Sequence, residues 1–191
     1  KDNCKELFWT ITLAANNGTD ATSEKVSTWT KGITLAGVSF DYTGYTFADE
    51  WCTSDNVCFA EGQTIPYSAF ASDTTLYAQW TPNTYYVKFN SNGGNGSMPD
   101  QEFTYDKASN LSANSFGRPG YNFAGWKDAN GVEYSDNESV INLASASGSV
   151  YEVYAQWSEC DSGYFCPGDN VSYSCAIETN NSHTMSDIAS A

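Results

Sequence analysis

The chain has 191 residues, of which 15% are aromatic and only 16% charged, and its formal net charge is −15. A composition rich in Tyr, Phe, Gly, Asn, Ser and Thr belongs to strand- and turn-rich domains and argues against a helical bundle or a disordered chain. An acidic surface repels phosphate backbones and anionic lipid, so no nucleic-acid partner is expected, and without a run of about 18 apolar residues no membrane insertion is expected of this fragment.

In chain order, "ITLAANNG" (Ile11–Gly18) is the first strand and its turn, and "STWTKGITL" (Ser27–Leu35) follows. "FDYTGYTF" (Phe40–Phe47) leads into Trp51 and a loop bounded by Cys52 and Cys58. "TLYAQW" (Thr75–Trp80) closes the first half. The same series then begins again. "VKFNSNGG" (Val87–Gly94), "FTYDKASNL" (Phe103–Leu111) and "FGRPGYNF" (Phe116–Phe123) each lie 76 positions after their counterparts. Trp126 follows Trp51 by 75, and "EVYAQW" (Glu152–Trp157) repeats the closing phrase at 77. Register kept through both loops and apolar positions identifies a tandem duplication. The expected boundaries are 1–81 and 82–158, with "TPNT" (Thr81–Thr84) as linker and Pro82 breaking pairing between the copies. Residues 159–191 form a separate cysteine-rich tail or partial module.

Each copy reads mainly as strand. Tyr86, Lys88 and Asn90 alternate with Val87, Phe89 and Ser91, a period of two. "SNGGNG" (Ser91–Gly96) tolerates positive φ and forms a turn, "QEFTYDK" (Gln101–Lys107) returns, and "KDANGVEY" (Lys127–Tyr134) carries the Asn-Gly mark of a tight hairpin. A short helix is conceivable over Ser135–Ser145. In the closing strands Leu76, Ala78 and Trp80, matched by Val153, Ala155 and Trp157, are assigned to the core. Tyr77 and Tyr154 then face the other way and are the candidates for contact with a partner. Trp51 and Trp126 are assigned to packing, as are Trp9 and Trp29 through their counterparts Tyr85 and Tyr105.

The six cysteines are Cys4, Cys52, Cys58, Cys160, Cys166 and Cys175. No C-x2-C pair marks a zinc site, so an oxidising, extracytoplasmic compartment is the better reading. Cys52 and Cys58 are close enough in sequence to staple one loop; the pairing of the other four stays open. The lack of a visible signal peptide before Lys1 points to a processed or excised chain.

Three features together resemble the Listeria–Bacteroides repeat, also known as the internalin B B-repeat: an N-G-G turn, a G-Y-x-F-x-G-W block and a closing L-Y-A-x-W. The second copy carries Asn92-Gly93-Gly94, Gly120–Trp126 and Val153–Trp157. The first carries Asn16-Asn17-Gly18, Gly44–Phe47 followed by Ala48-Asp49-Glu50-Trp51 without the Gly, and Leu76–Trp80. The resemblance implies a mainly β fold with minor α: two tandem β-grasp-like domains, each a mixed sheet over a short helix or loop. It also implies a stalk, spacer or adhesion module of a secreted or surface-exposed bacterial protein, with no shared catalytic residues and no cofactor. "CDSGYFCPGDNVSYSC" (Cys160–Cys175) looks like the start of a cysteine-rich surface module.

Residue by residue, chemistry finds little support. His183 is the single histidine, in a polar tail, and Cys52 lacks a histidine to activate it. The pairs Asp49/Glu50 and Asp136/Glu138 could in principle serve a glycosidase. "NGGNGS" lacks the Lys-Ser/Thr of a phosphate-binding loop. A non-catalytic surface module is therefore expected, with a host or cell-surface protein or glycan as partner. The alternative is a binding module with a defined site on exposed aromatics.

Overall fold

The computed structural model describes residues 8–28, 32–37 and 39–160. Expectations that fall on Cys4, Trp29, Cys166, Cys175, His183 and the tail from residue 161 onward, and with them the pairing of Cys160, lie outside the described residues. The first half holds β1 (Phe8–Ala14), β2 (Thr22–Thr28), β3 (Ile33–Thr34), β4 (Tyr45–Cys52), β5 (Cys58–Ala60), β6 (Thr64–Ile65) and β7 (Thr74–Pro82). The second holds β8 (Thr84–Asn90), β9 (Gln101–Thr104), β10 (Ser109–Asn110), β11 (Tyr121–Asp128), β12 (Glu133–Tyr134), β13 (Ser139–Val140) and β14 (Val150–Glu159).

The two halves match strand for strand. Five-stranded sheets run β2-β1-β7-β4-β5 and β9-β8-β14-β11-β12, and two-stranded ribbons pair β3 with β6 and β10 with β13. In each sheet the first strand runs parallel to the last, with Leu13 beside Leu76 and Phe89 beside Val153, while the other pairings are antiparallel. The expected minor helix is not found among the described residues. A single 3-10 turn at Tyr67–Ala69 is present, and the segment 135–145 carries β13 instead. The side chain of Asn142 explains part of this: it accepts from the Asp106 N–H at 2.6 Å and donates to the Asp106 carboxylate at 2.6 Å. Such side-chain-to-backbone bonds compete with a helix.

Alternation decides the cores. Ile11, Leu13, Leu76, Ala78 and Trp51 pack under Leu35 and Ile65 of the first ribbon region. Val87, Phe89, Val153, Ala155 and Trp126 pack under Leu111 and Val140 of the second. The closing tryptophans depart from their assignment: Trp80 and Trp157 are only half-buried. Their rings cover the cluster edge, and each ring N–H donates to a backbone carbonyl just after the first strand, where its turn begins, Trp80 to Ala15 at 2.7 Å and Trp157 to Ser91 at 2.9 Å. The turn answers in kind. The Asn16 amide donates to the Ala78 carbonyl at 3.0 Å and the Asn92 amide to the Ala155 carbonyl at 2.8 Å. Both asparagines have positive φ, 50° and 46°, a conformation Asn tolerates better than most side chains.

The missing Gly of the first copy also has an explanation. Between Phe123 and Trp126 a bulge places Gly125 at φ 116°, where a Cβ would lie 2.7 Å from the Tyr134 carbonyl. In the first copy the bulge between Phe47 and Trp51 holds one residue more, and Asp49 takes the left-handed conformation at φ 56°. The extra residue is absorbed there, so Trp51 and Trp126 reach equivalent core positions. Pro82 ends β7 opposite Tyr45, and among the described residues no strand of the first half pairs with one of the second.

Breaking one side of the turn-to-strand clasp should cost about 1 kcal/mol. Trp157→Phe removes the ring donor, and Asn92→Gly removes the amide while keeping positive φ accessible. In urea unfolding each is expected to lower stability by that amount. The double variant should lose less than the sum, because both bonds hold the same turn against the same strand.

Candidate functional site

The strongest local difference between the halves lies at the β4–β5 hairpin. In the second half Asp128 ends β11 and is buried. One carboxylate oxygen accepts from the N–H groups of Asn130 (2.9 Å) and Val132 (2.8 Å), closing the Asn-Gly turn. The other accepts the Tyr151 hydroxyl at 2.5 Å, and the Tyr134 hydroxyl lies 2.8 Å from that of Tyr151. The Tyr151 hydroxyl bond holds the Asp128 carboxyl below the usual carboxylate range, while burial first, then the bond to Asp128, pushes the Tyr151 phenol up. Next to Asp128 and Tyr134 in sequence, Lys127 and Glu133 pair at 2.7 Å on the opposite face of the hairpin.

The first half builds the same hairpin from other residues. Thr53 stands where Asp128 does, and its hydroxyl accepts from the Val57 N–H at 3.1 Å. Thr53 N–H bonds the Val57 carbonyl at 2.9 Å, as Asp128 N–H bonds that of Val132 at 3.0 Å. Cys52 and Cys58 occupy the register of Lys127 and Glu133, and a disulfide joins them. The staple expected from their spacing is therefore present. Thr74 takes the register of Tyr151, and Phe59 that of Tyr134. Neither new residue can rebuild the carboxylate–phenol network. Phe70 packs against Phe59 at 5.5 Å and takes up part of the space. Beside these residues lies a cleft of about 500 Å³ lined by Thr53, Ser54, Asp55, Phe59, Asp73 and Tyr77, among others.

Tyr77 thus reaches the rim of a concavity and is 37% exposed. Among the described residues its hydroxyl has no hydrogen-bond partner. Tyr154, its counterpart, is half-buried and committed: its hydroxyl donates to Glu152 at 2.6 Å, and Glu152 pairs with Lys88 at 3.0 Å. Those bonds, the Tyr154 one first, hold the Glu152 carboxyl low. The two tyrosines named as contact candidates are therefore unlike. Sequence reasoning missed Thr53 and Thr74, whose signal is their divergence from Asp128 and Tyr151 between otherwise matching copies.

The other chemical candidates have structural roles or stand apart. Asp136 accepts from the Asn114 N–H at 2.8 Å and Glu138 from the Ser135 N–H at 2.6 Å. Glu50, Cys52 and Cys58 bring three ligand atoms together, but both sulfurs are held in the disulfide.

The fold and the site define a tandem array of two copies of one β-sheet module, stapled in one copy and tied by polar side chains in the other. The model of the Listeria-Bacteroides repeat domain matches residues 9–79 and 85–146, and the chain belongs to that family. It is also similar to a protein of Evansella cellulosilytica provisionally named a Gly-rich membrane protein, with 28% identity over 200 aligned residues. That alignment takes in 96% of this chain and 21% of the relative, so the chain spans about a fifth of the relative's length. Among the described residues no helix is long and apolar enough to cross a membrane. The repeat family and the disulfide fit an extracytoplasmic location.

Two outcomes check the site. Thiol labelling under denaturing, non-reducing conditions should leave Cys52 and Cys58 unmodified, and replacing both with Ser should destabilise the first half by about 2 kcal/mol, the chain-entropy value for so short a loop. Asp128 is held low in the folded state, so the stability it contributes is fully present above the ordinary carboxylate pKa of about 4 and is lost as pH falls through the lower folded value. Thermal unfolding followed from pH 7 to pH 2 should show this loss, and Asp128→Asn should flatten the acid limb.

Proposed function

We propose that the chain is a non-catalytic, rigid stalk or adhesion unit of a bacterial surface protein, presenting its sheets to a host or cell-surface protein or glycan. The observation that carries this reading is the joint between the halves. A single residue, Asn83, separates β7 from β8, and it is buried. Its N–H donates to the Gly44 carbonyl at 2.8 Å and its carbonyl accepts from the Tyr105 N–H at 2.9 Å. Its side-chain oxygen accepts the Thr46 hydroxyl at 2.6 Å, and its side-chain nitrogen donates to the Ser145 carbonyl at 2.7 Å. One linker residue thereby bonds both halves through backbone and side chain. A flexible tether has no use for such a residue.

Around it the surfaces interlock. Gly44 sits at φ 82°, and the Tyr105 ring fills the place a Cβ would take. Tyr45 meets Tyr105 edge-on at 5.8 Å and donates its hydroxyl to Asp106 at 2.8 Å. That bond first, with burial next, pushes the Tyr45 phenol up to about 12, and Asn142, then Tyr45, holds Asp106 low. The boundaries at 82 and 158 follow from the matched sheets in this proposal. The mixed sheet with a ribbon over it supports a β-grasp-like unit in which the ribbon and loops stand in for the helix. Residues 159–191 are assigned to a cysteine-rich module on their sequence.

Residual dipolar couplings test the joint. Couplings from both halves should fit one alignment tensor. Gly44→Val, which needs space held by Tyr105 and a left-handed conformation valine resists, should require two tensors with each sheet intact. A wild-type chain that already requires two would sink the stalk reading.

A further inference from the structure

We propose that the cleft beside the Cys52–Cys58 staple is a binding site for a neutral saccharide. This goes beyond the stalk reading, and either can fail alone: the joint is tested by orientation, the cleft by ligand binding.

The first argument is the comparison within the molecule. The second half fills the equivalent space with a six-membered ring whose hydroxyl bonds a carboxylate and a second hydroxyl, the Tyr151–Asp128–Tyr134 set. Replacement of that set by Thr74, Thr53 and Phe59 leaves room there and removes the groups that would satisfy one another. A space that accepts a hydroxyl-bearing ring in one copy is left open to solvent in the other.

The second argument is the lining. Phe59 and Phe70 line the cleft from the core face of the sheet and Tyr77 lines it from the opposite face, so an aromatic residue borders it on either side, as suits the C–H face of a pyranose. Asp55 and Asp73 offer carboxylate acceptors, and Thr53, Ser54, Thr74 and Thr75 offer hydroxyls, in the same cleft. A mainly polar lining of hydroxyls and two carboxylates beside a few aromatic residues, in about 500 Å³, suits the many hydroxyls of a mono- or disaccharide. Among the described residues no Lys or Arg lines the cleft, and the chain carries a net charge of −15. Sialylated or uronic sugars and acidic peptides are therefore disfavoured, which selects a neutral polyol.

The third argument is preorganisation. Thr53, Ser54, Asp55 and Val57 all lie inside the loop that the disulfide closes, and all line the cleft. A wall held before binding loses less conformational entropy when the ligand arrives. The disulfide thus has a role at the site and not only in stability. Tyr77 belongs to the neighbouring strand, with Cys52 opposite it in register, so its ring is carried by the sheet and not by the loop.

The test is a titration of the isotopically labelled full chain with a panel of neutral mono- and disaccharides, followed by amide shift changes. The expected result is changes confined to residues 53–59 and 69–77. Thr53→Asp/Thr74→Tyr, which restores the carboxylate–phenol pair of the second half, should weaken binding at least tenfold. Because that variant could misfold, Tyr77→Ala and Asp55→Asn, both on exposed side chains, should each weaken it several-fold with the rest of the spectrum unchanged. Tyr154→Ala should have no effect. Overturning results are shift changes elsewhere, equal affinity in the filled and rim variants, no neutral saccharide perturbing the cleft at tens of millimolar, or a lysine-rich peptide binding there in place of sugars.

Discussion

Each repeat depends on the parallel pairing of its first strand with its last. A parallel pair cannot be joined by a tight turn, so everything between the two strands is in effect the crossover, and the sheet closes only when the chain's final strand slots in beside its first. Such long-range pairing leaves register exposed to error, since a one-residue slip would turn Leu76 and Ala78 out of the core. The reciprocal clasp answers this. An asparagine amide from the first strand's turn bonds the alanine carbonyl of the last strand, and the tryptophan two residues on bonds a carbonyl at the end of the first. Both bonds form only in one register. In the second copy the Trp157 ring also lies where a Cβ on Gly94 would be, so the second glycine of the turn is part of the same fit.

With the frame fixed, the hairpin at the far side of the sheet was free to diverge. The two copies hold it by different physics at the same register. One uses a buried carboxylate that ties a turn and a phenol, together with an exposed ion pair; the other uses a covalent link with a threonine hydroxyl. An exposed ion pair contributes little, so the weight in the second copy falls on Asp128. In the first copy the disulfide offsets the loss of that network, and this permitted small residues at Thr53 and Thr74. The cleft is then a consequence of exchanging a packed polar network for a crosslink, because a crosslink stabilises through the unfolded chain and does not need to fill space.

Much of the frame was legible in the sequence for a physical reason. Periodicity, turn residues and the duplicated register all report backbone geometry, and two copies of one pattern constrain each other. The alternation of Leu76 and Ala78 against Tyr77 placed the core face correctly, and the spacing of Cys52 and Cys58 placed the staple. Four things were not legible. The closing tryptophans look like core residues by pattern, but their ring N–H groups draw them to the edge. Asn83 looked like a linker because its four bonds come from residues far along the chain, Gly44, Thr46, Tyr105 and Ser145. The cleft arises from what Thr53 and Thr74 leave out, and an omission shows only when the other copy is laid beside it. Tyr77 and Tyr154 were equivalent in pattern, and only their neighbours, Thr75 against Glu152 and Thr12 against Lys88, separate an open ring from a bonded one.

One strand connects the joint to the cleft. β7 begins at Thr74, in the cleft lining, and ends at Pro82, next to the joint residue. At about 3.3 Å per residue these ends lie about 26 Å apart. The neighbouring repeat docks on the Gly44–Tyr45 turn and the end of β7, so it leaves the cleft uncovered. The bonds of Asn83 to both halves would also fix the direction in which the cleft opens relative to the next repeat. Orientation would then be set by Asn83 and Gly44, and access by Thr53 and Thr74, so the two properties can vary separately within one module. An array assembled from such units can change what the hairpin end of one copy presents without changing how the copies are stacked, because the residues that govern the two lie at opposite ends of the same strand.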